Sequence, residues 1–294
     1  MSGCYLPPPP GNPLRAIGRL LGGSSRQAGV FVFRGLETGR FSDRQALLDR
    51  LGNPVTETHA GREGRPRVLA TEPFLTDWDA DGDLDLLVGN WNGEIILVRN
   101  DGTRTYFAYA STGIRLEHGG QPIGVPGGLA GPEVADWDGD GLPDLLSGSS
   151  AGGVVFFRNE GTRAQPRYAR GMLLVPSGML NQYLWPSEEP TPGSHTRIHV
   201  TDHDGDGKLD LLLGDVQFVS WFRASLTDDE AKEVNAWRRQ WRDALAEAER
   251  MLATDASAQV LHAMQERIDR LDRRLNSYVE AETRHGFVWL FRRK

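Results

Sequence analysis

The sequence predicts an all-β chain: a partial β-propeller, an open arc of about three to four four-stranded blades, with an antiparallel α-helical hairpin inserted in the last blade. Three observations carry this. One acidic loop occurs three times, and each copy runs into a short Leu-rich stretch that ends in glycine. The copies begin at Asp77, Asp136 and Asp202, a period of about 60 residues, which suits one four-stranded blade with its loops. Beyond the third stretch lies an insert whose apolar residues recur at helical spacing.

The loops read Asp77-Trp-Asp79-Ala-Asp81-Gly82-Asp83-Leu-Asp85, Asp136-Trp-Asp138-Gly-Asp140-Gly141-Leu142-Pro-Asp144 and Asp202-His-Asp204-Gly-Asp206-Gly207-Lys208-Leu-Asp210. Each has carboxylates at loop positions 1, 3, 5 and 9 and glycine at position 6. Carboxylates this dense repel one another unless a cation sits among them. Ca²⁺ suits them, being a hard ion that takes roughly six to eight oxygens from a flexible loop. The glycine permits the sharp turn that wraps such a loop around an ion. An EF-hand would need glutamate at position 12 and flanking helices. Position 12 is Val88, Ser147 and Leu213, each inside an apolar run (Leu86–Gly89, Leu145–Gly148, Leu211–Gly214) that reads as a buried strand. The closing ligand is therefore the position 9 aspartate, at the start of that strand.

The repeat extends past the loops. Gly93-Glu-Ile-Ile-Leu-Val-Arg99-Asn-Asp-Gly-Thr-Arg104 matches Gly153-Val-Val-Phe-Phe-Arg158-Asn-Glu-Gly-Thr-Arg163, a β-branched and aromatic run followed by a turn. The same strand appears without a loop at Gly29–Arg34 and again at Gly286–Arg292. The chain thus reads as the second half of one blade, two full blades and most of a last one. Residues 1–27 read as a disordered tail, 28–222 plus 286–294 as the blades, and 226–285 as the helical insert. In that insert Thr227-x-x-Glu230 is a capping box. Val234, Trp237, Trp241, Leu245, Ala248 and Leu252 form one apolar stripe. Val260, Met264, Ile268, Leu271, Leu275 and Tyr278 form a second. Both stripes are narrow, so each helix is expected to pack on the other, in the manner of an antiparallel coiled coil.

Charge points the same way. The formal net charge is −7, yet the three loops hold thirteen aspartates, so one Ca²⁺ in each would bring it to about −1. The acidity is that of metal sites, and no basic stripe suggests nucleic acid. No apolar run is long enough for a transmembrane helix. The single cysteine, Cys4, allows no internal disulfide. No signal peptide is visible. Ser2-Gly3-Cys4 matches the end of a lipoprotein signal, but the apolar part is missing, and an ordinary N-terminus is the plainer reading.

The loops, the Leu-Leu-x-Gly strands and the Arg-Asn-x-Gly-Thr turns at 99–103 and 158–162 together resemble the FG-GAP/VCBS calcium-binding propeller repeats, which integrin α-subunits also carry. The resemblance implies about three Ca²⁺ sites. Their ligands would be Asp77, Asp79, Asp81 and Asp85; Asp136, Asp138, Asp140 and Asp144; and Asp202, Asp204, Asp206 and Asp210. Main-chain carbonyls of Asp83, Leu142 and Lys208 would complete each shell. It also implies an extracytoplasmic setting and adhesion-like or carbohydrate-associated roles. Closed integrin-like propellers have more blades than this chain supplies, so an open arc with self-associating edges is expected.

No nucleophile elbow, Walker loop or dinucleotide-binding glycine pattern occurs. His195, His199 and His203 share a spacing of four, but His203 lies inside an acidic loop, and surface or packing roles suit all three better than zinc. Trp78 and Trp137 occupy the same repeat position and are expected to pack on neighbouring blades. Two functions follow. The first is a non-catalytic, calcium-stabilised propeller that binds a protein or glycan outside the cytoplasm. The second is the accessory propeller of an extracellular enzyme, such as a polysaccharide-degrading one.

Overall fold

The computed structural model describes residues 3–5, 14–18, 30–55, 72–163, 165–176, 183–189, 191–252 and 258–293. The chain divides into two compact units. The first comprises Met1–Pro176, His195–Gly214 and Val288–Lys294; the second comprises Ser177–Ser194 and Asp215–Phe287.

The first unit is a series of antiparallel sheets. The first sheet runs β1 (Gly3–Tyr5), β2 (Leu14–Gly18), β3 (Val30–Arg34), β4 (Gln45–Ala46). The second runs β5 (Glu72–Thr76), β6 (Asp85–Gly89), β7 (Ile95–Val98), β8 (Ile114–Arg115). A short hairpin follows, β9 (Glu117–His118) with β10 (Gln121–Pro122). The third sheet runs β11 (Gly131–Ala135), β12 (Asp144–Gly148), β13 (Val154–Phe157), β14 (Met172–Val175). The remaining elements are β15 (Tyr183–Leu184), β16 (Ser194–Thr201), the long β17 (Asp210–Phe222), helices α1 (Asp228–Leu252) and α2 (Ala258–Asn276), β18 (Val279–His285) and β19 (Val288–Phe291); β15, α1, α2, β18 and the part of β17 from Asp215 on belong to the second unit. In the fourth sheet β16 lies beside β17, and β19 pairs with the first part of β17, from Leu211↔Phe291 to Gly214↔Val288.

Successive sheets stack face to face, which explains why the central strands are apolar at every position. In the second sheet Leu86, Val88, Ile96 and Val98 pack with Val30, Val32 and Leu47 of the first. The alternate residues Leu87, Ile95 and Leu97 pack with Leu145, Val155 and Phe157 of the third. Leu146, Val154 and Phe156 turn the other way, onto Val200, Leu211 and Leu213 of the fourth. A strand covered on both faces has no reason to alternate with polar residues. Each such Leu, Ile or Val stabilises by about 1.5–3 kcal/mol on burial. Trp78 sits in the core between the second and third sheets, and Trp137 packs against the core between the third and fourth. The glycine that ends each apolar run lets the next sheet approach. A Cβ on Gly89 would lie 1.9 Å from the carbonyl oxygen of Ala130, and one on Gly148 would lie 2.4 Å from that of Thr196.

Two expectations are corrected. The first sheet is more than half a blade: within the expected tail 1–27, residues 3–5 and 14–18 are strands, and the rest lies outside the described residues. Leu14–Gly18 pairs with β3 from Leu14↔Arg34 to Gly18↔Val30, and Gly3–Tyr5 pairs with it in turn. In that register Leu14-Arg-Ala-Ile-Gly18 takes the place of Asp85-Leu-Leu-Val-Gly89, without the loop aspartate. The second correction concerns the insert. Val279–His285 is a strand, and Gln217–Phe222 pairs with it rather than extending a blade. Nor do the two helices pack only on each other. Val234, Trp241, Ala244, Met264, Leu271 and Leu275 share a core with Tyr183 and Phe222. The narrow stripe meets a strand layer because β15 and β17 run parallel, from Tyr183↔Ser220 to Leu184↔Trp221, and offer aromatic rings on one face. The helices are antiparallel, with Arg267 bonded to Glu247 at one end and Arg274 over Trp237 at the other. The capping box is formed: the Thr227 amide donates to Glu230 and the Glu230 amide to the Thr227 hydroxyl.

Candidate metal centres

Each acidic loop is the connection of a β-hairpin. Register pairs Thr76↔Asp85 and Ala135↔Asp144 close the first two, so position 9 lies beside the residue that precedes position 1. The turn requires left-handed backbone twice. At position 6, Gly82, Gly141 and Gly207 have φ of 93°, 88° and 85°. At position 4, Gly139 and Gly205 have φ of 80° and 76°, and Ala80 is held at 63°. The position 4 requirement was legible only as the glycine shared by two copies.

These turns bring carboxylates together. Oxygens of Asp77, Asp79 and Asp81 lie within 4.8 Å of one another, as do those of Asp136, Asp138 and Asp144, and those of Asp202, Asp204 and Asp206. In every loop the position 7 amide donates to the position 5 carboxylate: Asp83 to Asp81 at 3.0 Å, Leu142 to Asp140 at 2.9 Å, Lys208 to Asp206 at 2.8 Å. The position 9 aspartates have a second task. Asp85 accepts from the amides of Trp78 (3.0 Å) and Asn100 (2.7 Å), and Asp144 from those of Trp137 (3.0 Å) and Asn159 (2.8 Å). Asp210 accepts from His203 and Arg293. All three are buried and staple the loop to the third strand of their own sheet. Burial pushes the carboxyls of Asp85 and Asp144 up, against the pull of those amides. Asp144 joins its loop's group; Asp85 and Asp210 do not, and Asp140 turns to Arg158 instead.

The first loop is the most charged. Asp83 is buried, and burial followed by the charges of Asp81, Asp85, Asp79 and Asp77 pushes it up to about 6. Buried oxygens Oδ1 of Asp77, Asp79 and Asp83 have no hydrogen-bond partner. A buried carboxylate oxygen without a donor is costly unless a cation meets it. This donor set, all hard oxygens, fits Ca²⁺.

Sequence reasoning missed the arginines. Arg99 pairs with Asp79, Arg158 with Asp138 (2.6 Å) and Asp140 (3.2 Å), and Arg292 with Asp204 (3.6 Å). They end the third strand of three sheets at one register, a repetition visible in the sequence but read there only as turn chemistry. Two further arginines tie a loop to the following sheet. Arg163 donates to the carbonyl of Asp77, and Arg293 to those of Trp137 and Asp138. The histidines do not converge on a site. His199 bonds the buried Glu133 at 3.1 Å, which raises its pKa, and no histidine joins the acidic groups among the described residues. A cleft of about 200 Å³ lies between the first two loops, lined by Trp78, Asp136, Leu142 and Arg163 among others.

Two comparisons bear on these loops. Residues 77–147 and 136–213 each match the FG-GAP-like repeat. A relative in Xenopus tropicalis, cartilage acidic protein 1, is 30% identical over 145 residues, a match that spans 47% of this chain and 20% of the relative. The chain therefore covers about a fifth of the length of that curated relative. No helix among the described residues is long and apolar enough to cross a membrane. Residues 77–213, with their acidic hairpin loops and stacked antiparallel sheets, thus hold two FG-GAP-like repeats in a β-propeller-like arrangement.

Proposed function

We propose that this chain is a calcium-stabilised, non-catalytic propeller that works outside the cytoplasm by presenting its surface to a protein or glycan. The observation that carries the reading is the first loop, where three of five aspartates converge and three buried oxygens lack a donor. Asp77, Asp79 and Asp81 would hold one ion, with the Asp83 carbonyl. Asp136, Asp138 and Asp144 would hold a second, with the Leu142 carbonyl. Asp202, Asp204 and Asp206 would hold a third, with the Lys208 carbonyl. Asp85, Asp140 and Asp210 complete the acidic set. The ion's part is structural: it neutralises loops that otherwise repel and fixes the hairpins that carry them. Loops of extracellular type bind Ca²⁺ with Kd of about 10⁻⁴–10⁻³ M, so they fill where calcium is abundant. A relative named for cartilage supports the same setting.

Terbium luminescence tests the sites one by one. Trp78 and Trp137 stand inside the first two loops, so excitation of tryptophan should sensitise Tb³⁺ bound there, and added Ca²⁺ should quench it. Trp137→Phe should remove the second loop's share. No sensitised emission at millimolar Tb³⁺ would end the assignment.

A further inference from the structure

The stacking rule of the first unit leaves one face without its partner. Strand register makes Ile95, Val154 and Val288 equivalent, as it does Leu97, Phe156 and Leu290, and likewise Leu87, Leu146 and Leu212. In the second and third sheets these are the side chains turned toward the next sheet, and all six are at most 5% exposed. In the fourth sheet Val288 is 78% exposed, Leu290 is 37% exposed and Leu212 is half-buried. The glycines repeat the pattern. Gly89 and Gly148 each lie against the backbone of the following sheet, whereas the nearest atom to a Cβ on Gly214 among the described residues is the Arg197 carbonyl oxygen, at 3.9 Å. Among the described residues of the first unit, both the apolar triplet and the close-approach glycine are thus present with no following sheet of that unit against them.

At the other end of the series the reciprocal face is open. In β3, Val30 and Val32 turn toward the second sheet and are buried. Phe31 and Phe33 take the positions of Ile96 and Val98, the side chains that meet a preceding sheet, and are only half-buried. The Arg44 guanidinium lies over the Phe31 ring at 4.5 Å, a flexible cover that a partner can displace. One end therefore offers the face that every sheet presents to its successor, and the other offers the face that every sheet presents to its predecessor.

We propose that a second copy of this chain seats its first sheet on the Leu212–Val288–Leu290 face, in the geometry by which the sheets already stack within the chain. The contact is head-to-tail. If both ends engage at once, two chains close a ring of eight blades, at the upper end of the roughly four to eight usual for propellers. Such a pair is a closed dimer; a single engaged end would propagate.

Sedimentation of the calcium-loaded chain across a range of concentrations tests this, with Val288→Glu and Phe33→Ser as variants. Val288 is exposed, so its substitution spares the fold; near-ultraviolet circular dichroism and melting verify this for both variants. The wild type should dimerise and each variant alone should be monomeric. An equimolar mixture of the two should associate again, because one of the two junctions is then intact. A wild type that stays monomeric at about 1 mM, the upper end of the weak-association range near 1 μM–1 mM, would overturn the proposal. So would a Phe33→Ser chain that still dimerises, or a mixture that does not re-form, because either result would show the face pairing with something other than the first sheet.

Discussion

Ala80 is the one acidic-loop residue other than glycine that takes left-handed backbone at position 4, where the other two copies have glycine. An L-residue held there costs about 1–2 kcal/mol, part of which glycine's flexibility in the unfolded chain gives back. Ala80→Gly should therefore stabilise the protein by about 0.5–1 kcal/mol in urea unfolding; a destabilised variant would show that the loop backbone differs from this description. Asp83 couples the first loop to pH. Its carboxyl is pushed from 3.8 up to about 6, so without metal the fold binds a proton more readily than the unfolded chain. Its contribution is then fully present below about pH 3.8 and lost as pH rises through about 6. In chelator, stability attributable to this residue should fall across that window, and Asp83→Asn should flatten the slope. A slope unchanged by the substitution would mean that other carboxyls, Asp85 and Asp144 foremost, carry it.

Among the elements, what was legible depended on repetition. The acidic hairpins and the apolar strands after them could be read because several copies share one register, and the helices because Val234, Trp241, Met264 and Leu275 keep a clean period. Leu14–Gly18 was missed because it occupies a repeat position with neither the aspartate nor the continuous apolar run that marks the others. The division of β17 was also hidden. Asp210–Phe222 is one unbroken strand, and only the choice of partner changes along it, from β19 to β18. Local sequence does not encode that choice; the second part of the strand shares a core with Tyr183 and Trp241 through Phe222. The register pair Gly214↔Val288 leads to an element-scale prediction. It matches Gly148↔Val154 of the third sheet, which a five-residue turn joins. Replacing Asp215–Phe287 by the turn Ser149–Gly153, with Tyr183 and Leu184 changed to serine because they lose their cover, should abolish helical circular dichroism. It should leave metal binding intact, and loss of metal binding would tie the second unit to the sheets that carry the loops.

The molecule as a whole is a set of stacked sheets whose connecting loops carry the charge. Thirteen aspartates in three hairpins give the chain its formal charge of −7, and arginines at repeated positions reach three of those loops. Arginine can neutralise part of a carboxylate cluster, but its planar donors cannot meet several converging oxygens as a spherical ion does. If Ca²⁺ completes the fold, the melting temperature in millimolar Ca²⁺ should exceed that in chelator. Ligand linkage gives about 1.4 kcal/mol per site at ten times Kd, so three filled loops should raise the midpoint by roughly 5–15 °C. Asp138→Asn, which strikes the second loop, should remove about a third of that rise. Identical melting curves with and without calcium would show that the ion has no part in the fold.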